Sequence, residues 1–135
     1  RLARRCSPQC SDRSMTSPPA PTRQEVWLAV VPGGNETKAR PTVVLNDKAA
    51  DLIEVIYGQG QRGSVESIEV VPGTRAGRSF GIEKPTYFRV TNVVLLGRAL
   101  FKRKMGRCPI DLFLEMEALA NAGRSAFGVT RGRVA

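Results

Sequence analysis

Any chemistry in this chain has to be done without histidine. None occurs among its 135 residues, which removes His-based triads, paired-histidine ribonuclease chemistry and most zinc hydrolase sites. Hydrolytic work is left to Arg, Lys, Ser, Thr, Gln, the carboxylates and the backbone. The three cysteines, Cys6, Cys10 and Cys108, form neither a disulfide framework nor a spaced metal motif. Cys6 and Cys10 could supply two ligands, but nothing downstream completes a tetrahedral site, so no metal and no other cofactor is expected. Free thiols fit a reducing compartment, and a cytoplasmic protein is the expectation.

Two stretches carry other candidate residues. Gly58-Gln59-Gly60-Gln61-Arg62-Gly63 matches G-x-G-x-x-G after an apolar run. A dinucleotide site of that kind needs a helix N-terminus aimed at the pyrophosphate, yet Val65 to Val71 reads as a strand. A glycine-rich connection within a β-barrel is the better reading, with Ser64 as a turn serine. Lys102-Arg103-Lys104, with Phe101, Met105 and Arg107, is the strongest basic cluster outside the termini. Lysines tracking phosphates beside an aromatic would suit single-stranded RNA; a solvated charged loop would look the same. The formal charge is +9, but Arg1, Arg4, Arg5 and Arg13 against Asp12 put +3 in residues 1–22. Arg124, Arg131 and Arg133 put another +3 in residues 124–135, leaving the middle only mildly basic. The total therefore supports RNA binding weakly.

The elements that must hold these residues are mostly strands. At 135 residues with 41% apolar content, the chain has room for one domain with a core. No apolar run approaches the roughly 18 residues of a membrane span, and no membrane association is expected. Residues 1–22, closing on Ser17-Pro18-Pro19-Ala20-Pro21, lack apolar periodicity and read as a disordered basic, Pro-rich tail. Met15, the first methionine, is read as the natural start. Strands are expected at Val26 to Val31, Thr42 to Leu45, Leu52 to Tyr57, Ser67 to Val71, Ser79 to Ile82, and Tyr87 to Leu96, the last long enough to bend or split. Their short spacing and Gly/Pro punctuation favour a barrel or sandwich over βαβ units. A helix follows: Pro109 suits its first position, Asp111 its positive end, and Gly123 its close. Leu112, Met116, Leu119 and Ala120, with Phe113 alongside, make the apolar stripe that lays it on the barrel. Residues 124–135 read as a basic C-terminal tail, and Trp27 as core.

Set in this order, one motif becomes informative. Glu25-Val26-Trp27-Leu28-Ala29-Val30 is followed by a polar loop, then Lys38-Ala39-Arg40-Pro41 and an aliphatic strand ending in Asn46-Asp47. This resembles the opening of MazF/PemK-like toxins, and Lys84-Pro85-Thr86-Tyr87-Phe88 resembles that family's later Thr-rich strand. The likeness covers residues 23–123. It implies an SH3-like β-barrel, mainly β with a C-terminal α-helix, that pairs into homodimers. It further implies metal-independent cleavage of single-stranded RNA, neutralised by a cognate antitoxin. Cleavage there is attack by a ribose 2′-hydroxyl on the adjacent phosphate, which needs a cation or donor for the developing charge and an acid for the 5′-oxygen. Arg40 falls on the family arginine expected at the scissile phosphate. The pattern departs at the third strand, where active members carry a Thr or Ser. Here Gln59 or Gly58 stands, with Ser64 a few residues on. Arg40, Gln59 and Ser64 are thus the candidate catalytic residues, and Lys38, Arg62, Lys102, Arg103 and Lys104 the candidate RNA contacts. A catalytically inactive relative that binds RNA or protein is the alternative. An unrelated small barrel tied to the ribosome or translation is a third.

Overall fold

A computed structural model of the chain describes residues 20–32, 38–49 and 51–126. The tails expected at either end therefore fall largely outside the described residues. Five of the six expected strands are present, as β1 (Glu25–Val31), β2 (Lys38–Asn46), β3 (Leu52–Gln59), β4 (Ser67–Val70) and β5 (Thr86–Gly97). β5 changes register against β3 between the pairs Ile56–Val93 and Gly58–Phe88. This irregularity is the bend expected of so long a strand. A sixth strand, β6 (Phe101–Arg107), runs through the basic cluster, so that cluster is not a loop. Charged side chains on an edge strand discourage pairing with other chains, and the same charges hide the strand from a search for apolar alternation.

Neighbouring strands pair antiparallel in one six-stranded sheet of order β4-β5-β3-β2-β1-β6. Adjacent residues divide between two apolar clusters, as a pleated strand requires. Val26, Val43, Ile56, Phe80, Phe88, Phe113 and Met116 lie in one, and Trp27, Val44, Val55 and Leu96 in the other. The closing helix α2 (Ile110–Ala126) supplies the fully buried Phe113 and Met116 to the first cluster. Each such side chain contributes about 2 kcal/mol by removing its apolar surface from water.

The sheet is mostly β and wraps a core, but it is not closed: among the described residues the edge strands β4 and β6 do not pair. A short helix α1 (Arg75–Phe80) follows β4 and docks on β6, where Ser79 Oγ donates to the Arg107 carbonyl at 2.5 Å. The strand expected at Ser79 to Ile82 is therefore wrong. Thr74 Oγ1 caps the helix by accepting from the Gly77 N–H, and Gly81 ends it in a left-handed conformation with φ 78°. A cap residue and a terminal glycine outweigh the apolar Phe80 and Ile82.

Gly123 also departs from expectation. It does not close α2, which runs on to Ala126. A side chain at Gly123 would sit 2.3 Å from the Val90 carbonyl oxygen, so this glycine permits close approach of helix to strand. Arg124, grouped with the tail by its charge, lies in the helix. It pairs with Glu54 through its Nη2 at 2.5 Å and donates from Nε at 3.1 Å. Cys108 is buried; burial first, then the charges of Asp111 and Glu115, pushes its thiol up to about 12, leaving it protonated and inert at neutral pH.

Glu25 ties the start of the sheet together. Its Oε1 accepts from Trp27 Nε1 and the Thr22 N–H, each at 2.9 Å, and its Oε2 pairs with Lys104 Nζ at 3.1 Å. Burial works to raise its pKa, but these partners prevail and hold the carboxyl down to about 2 from an ordinary 4.5. A depressed carboxyl stabilises the fold above its unfolded pKa, and that contribution is lost as pH falls through the folded value. Glu25→Gln should therefore lower the melting temperature by a constant amount above pH 5. The gap to wild type should close between 4.5 and 2 in thermal melts across that range.

Candidate functional site

Strand register assembles the site at one end of the sheet. Ala29 on β1 pairs with Arg40 on β2, while Leu28 pairs with Arg103 on β6. Thr42 on β2 pairs with Tyr57 on β3, and Arg40 and Gln59 lie two residues beyond that pair on their strands. Gln59 in turn pairs with Tyr87 on β5, next to Thr86. Antiparallel pairing thus brings residues from five separate strands into one row.

A cleft of about 440 Å³ opens over this row. It is lined by Lys38, Arg40 and Pro41 of β2, by Gly58, Gln59 and Gly60 at the end of β3, by the segment from Gly81 to Thr86, and by Arg103 and Met105 of β6. Arg40, Lys84 and Arg103 have no ion-pair partner among the described residues. Glu83 is the single carboxylate among the described lining residues. Cations collected in a concave site without neutralising partners favour an anionic ligand. The groups offered are those that grip phosphate: a guanidinium fork from Arg40 and point charges from lysine.

Gln59 is held in a defined orientation. Asn92, 4% exposed, donates its Nδ2 to the Tyr57 carbonyl at 3.3 Å and to Gln59 Oε1 at 3.2 Å. The carbonyl contact dictates which way the Asn92 amide points, and that in turn obliges Gln59 to present its oxygen inward. Its Nε2 remains a donor without a partner among the described residues. Beside it, Gly58 and Thr86 fit each other. A Cβ at Gly58 would lie 2.2 Å from Thr86 Cγ2, so the space of a β3 side chain is filled from β5.

The sequence-derived candidates do not all meet. Arg40, Gln59, Lys38 and Arg103 line the cleft, whereas Ser64, Arg62, Lys102 and Lys104 are not among its lining residues. Ser64 is exposed in the loop between β3 and β4. That loop is drawn toward β5 because Arg89 donates from Nη2 at 2.6 Å and Nε at 3.2 Å to the Gln61 carbonyl. The basic triad is divided by strand alternation: Arg103 reaches the cleft and Lys104 is occupied by Glu25. Sequence reasoning missed Lys84, Glu83 and Asn92. Lys84 lay within a quoted motif, but nothing local marked its side chain for the site. Asn92, a polar residue inside a long apolar strand, was the available signal for a buried positioning group.

No protein-family model and no curated protein matches the sequence. Solved structures do. The toxin MazF-mt6 of Mycobacterium tuberculosis aligns at TM-score 0.54 and 19% identity, over 79% of this chain and 99% of its own. A MazE-MazF structure from Deinococcus radiodurans aligns at TM-score 0.55 and 16% identity, over 84% of this chain and 100% of its own. An endoribonuclease in complex with its cognate antitoxin, from a mycobacterial species, aligns at 0.54 and 14%, covering 83% and 99%. The chain has the MazF-like fold that the residues around Arg40 suggested.

The fit between Gly58 and Thr86 is open to direct measurement. Gly58→Ala should destabilise the protein by about 2 kcal/mol or more, as overpacking does. In a Thr86→Ala background the same change should cost clearly less. Urea melts of the two single variants and the double variant would measure the coupling; additive effects would mean that the two residues do not share this space.

Proposed function

We propose that this chain is a toxin-type endoribonuclease that cleaves single-stranded RNA in the Arg40 cleft and is neutralised by a cognate antitoxin. One observation carries the reading: Arg40, Lys84 and Arg103, uncommitted among the described residues, converge with the Gln59 donor on a cleft of a MazF-like fold. The antitoxin partner rests on the neighbours solved with one, and a cytoplasmic location follows from the activity proposed.

In this reading the ribose 2′-oxygen forms a bond to phosphorus as the P–O5′ bond breaks. The 2′-hydroxyl gives up its proton, O5′ leaves protonated, and the products are a 2′,3′-cyclic phosphate and a 5′-hydroxyl. Arg40 and the Gln59 Nε2 face the non-bridging oxygens, where charge builds in the transition state. Glu83 is the cleft carboxylate available to take the 2′ proton, and Lys84 the ammonium available to protonate O5′. Neither step, as written, calls for a metal.

A second reading, a non-catalytic binder of RNA or protein on the same fold, is favoured by one feature. The loop after β3 offers the cleft no hydroxyl, since Ser64 lies outside it. Cleavage of a mixed RNA pool in EDTA, with mapped ends, separates the two. Wild type should cut and leave cyclic phosphates, Arg40→Ala should lose about a hundredfold or more of the rate while RNA affinity falls much less, and Ser64→Ala should be silent. If wild type is inert and Arg40→Ala only weakens binding and flattens its salt dependence by about one charge, the second reading holds. Magnesium-dependent cutting to 3′-hydroxyl ends would overturn both the mechanism and the assignment.

Homodimer formation is part of the same proposal. It rests on the resemblance to MazF/PemK-like toxins alone. Sedimentation equilibrium at micromolar concentration should return twice the chain mass of 14.7 kDa; a single-chain mass would count against it.

A further inference from the structure

Among the described residues lining the cleft, one carries a hydroxyl. Thr86 is 6% exposed, and both of its branches are committed. Its methyl fills the space left by Gly58, and its Oγ1 donates to the Lys84 carbonyl at 3.0 Å. A threonine hydroxyl has one hydrogen and two lone pairs. With the hydrogen spent on Lys84, what Thr86 can offer a ligand is an acceptor, in a site whose other groups are nearly all donors. Arg40, Gln59 Nε2, Lys84 and Arg103 can bind phosphate oxygens, but none of them can accept a proton from a sugar hydroxyl; Glu83, the other side-chain acceptor of the cleft, is assigned in the proposed reaction to the 2′ proton at the scissile bond. An acceptor fixed among phosphate-binding groups matches the 2′-hydroxyl of a ribose, the group by which a protein separates RNA from DNA.

We infer that Thr86 is the ribose sensor of this cleft, its Oγ1 accepting a hydrogen bond from a 2′-hydroxyl of a nucleotide held there. This inference deepens the proposed function and rests on its assignment of the cleft to a polyanionic chain, but it concerns binding and does not require cleavage. The Lys84 carbonyl enforces the acceptor role. The glycine at position 58 brings Thr86 in close enough to serve it.

The test compares two single-stranded oligonucleotides of one mixed sequence, all-ribose and all-2′-fluoro. Fluorine keeps an RNA-like sugar but donates no hydrogen bond. Affinities are read by fluorescence anisotropy within seconds of mixing, in EDTA. Wild type should prefer the ribose strand by about five- to tenfold, the effect of one hydrogen bond. Thr86→Val, which keeps both branches in shape but removes the acceptor, should lose most of that preference by weakening the ribose strand, with the 2′-fluoro affinity unchanged. Thr86→Ser should retain the preference. Thr86→Ala, expected to behave as valine does, serves if the valine variant fails to fold. A wild type without preference, or a valine variant that keeps it, overturns the assignment of Thr86 alone, provided Arg40→Ala weakens both strands. Failure of wild type to bind either strand, or of Arg40→Ala to weaken either, overturns the proposed function and this inference with it.

Discussion

The pairing of β2 with β3, and of β3 with β5, is the constraint on which the cleft depends. Arg40, Gln59 and Thr86 are far apart in sequence and share no local pattern. They share a site because Thr42 lies opposite Tyr57 and Gln59 opposite Tyr87. A slip of one residue in either pair would turn its side chains to the other face and scatter the group. The apolar residues resist such a slip. Val43 and Ile56 serve one cluster while Val44 and Val55 serve the other, so both faces of these strands are specified by burial. The site thus takes its geometry from a core that plays no part in its chemistry.

The same end of the molecule is where the sheet fails to close. The edge strands β4 and β6 leave a gap, and α1 fills it by docking on β6 through Ser79. The C-terminal end of that helix leads directly into the segment Gly81 to Thr86, while Arg103 and Met105 come from β6 across the gap. The connection that follows α1 thus lines part of the cleft.

Charge follows a similar division. A net +9 is a poor guide to where an anion would bind, because cations are consumed internally. Lys104 is tied to Glu25, Arg124 to Glu54, Arg23 to Glu117 and Arg75 to Asp111. Arg23 also lies over the Phe113 ring, 4.7 Å from its centroid. The Arg75–Asp111 pair is largely exposed and of little energetic weight, whereas Arg124–Glu54 is the most buried of these four. The cations without partners in the cleft matter more than the total, since an uncompensated guanidinium in a concave site is attracted to any phosphate that enters it.

Much of the fold was legible in the sequence because its causes are local. Short apolar and β-branched runs punctuated by Gly and Pro marked β1 to β5, Pro109 and Asp111 marked the start of α2, and the Arg40-Pro41 context pointed to a MazF-like fold. β6 was not legible, since an edge strand of Lys and Arg carries no apolar alternation. α1 was misread because Phe80 and Ile82 resemble strand residues until Thr74 and Gly81 are recognised as caps. For the site, Arg40 and Gln59 became candidates through the family resemblance around Arg40-Pro41, not through residue types alone. Neither could place Ser64 outside the cleft, divide the triad at Arg103, or bring Thr86 against Gly58. Those outcomes depend on strand register and on which side chains fill one another's space. Pairings of that range are set when distant strands bury their faces together, and no local stretch of sequence contains them.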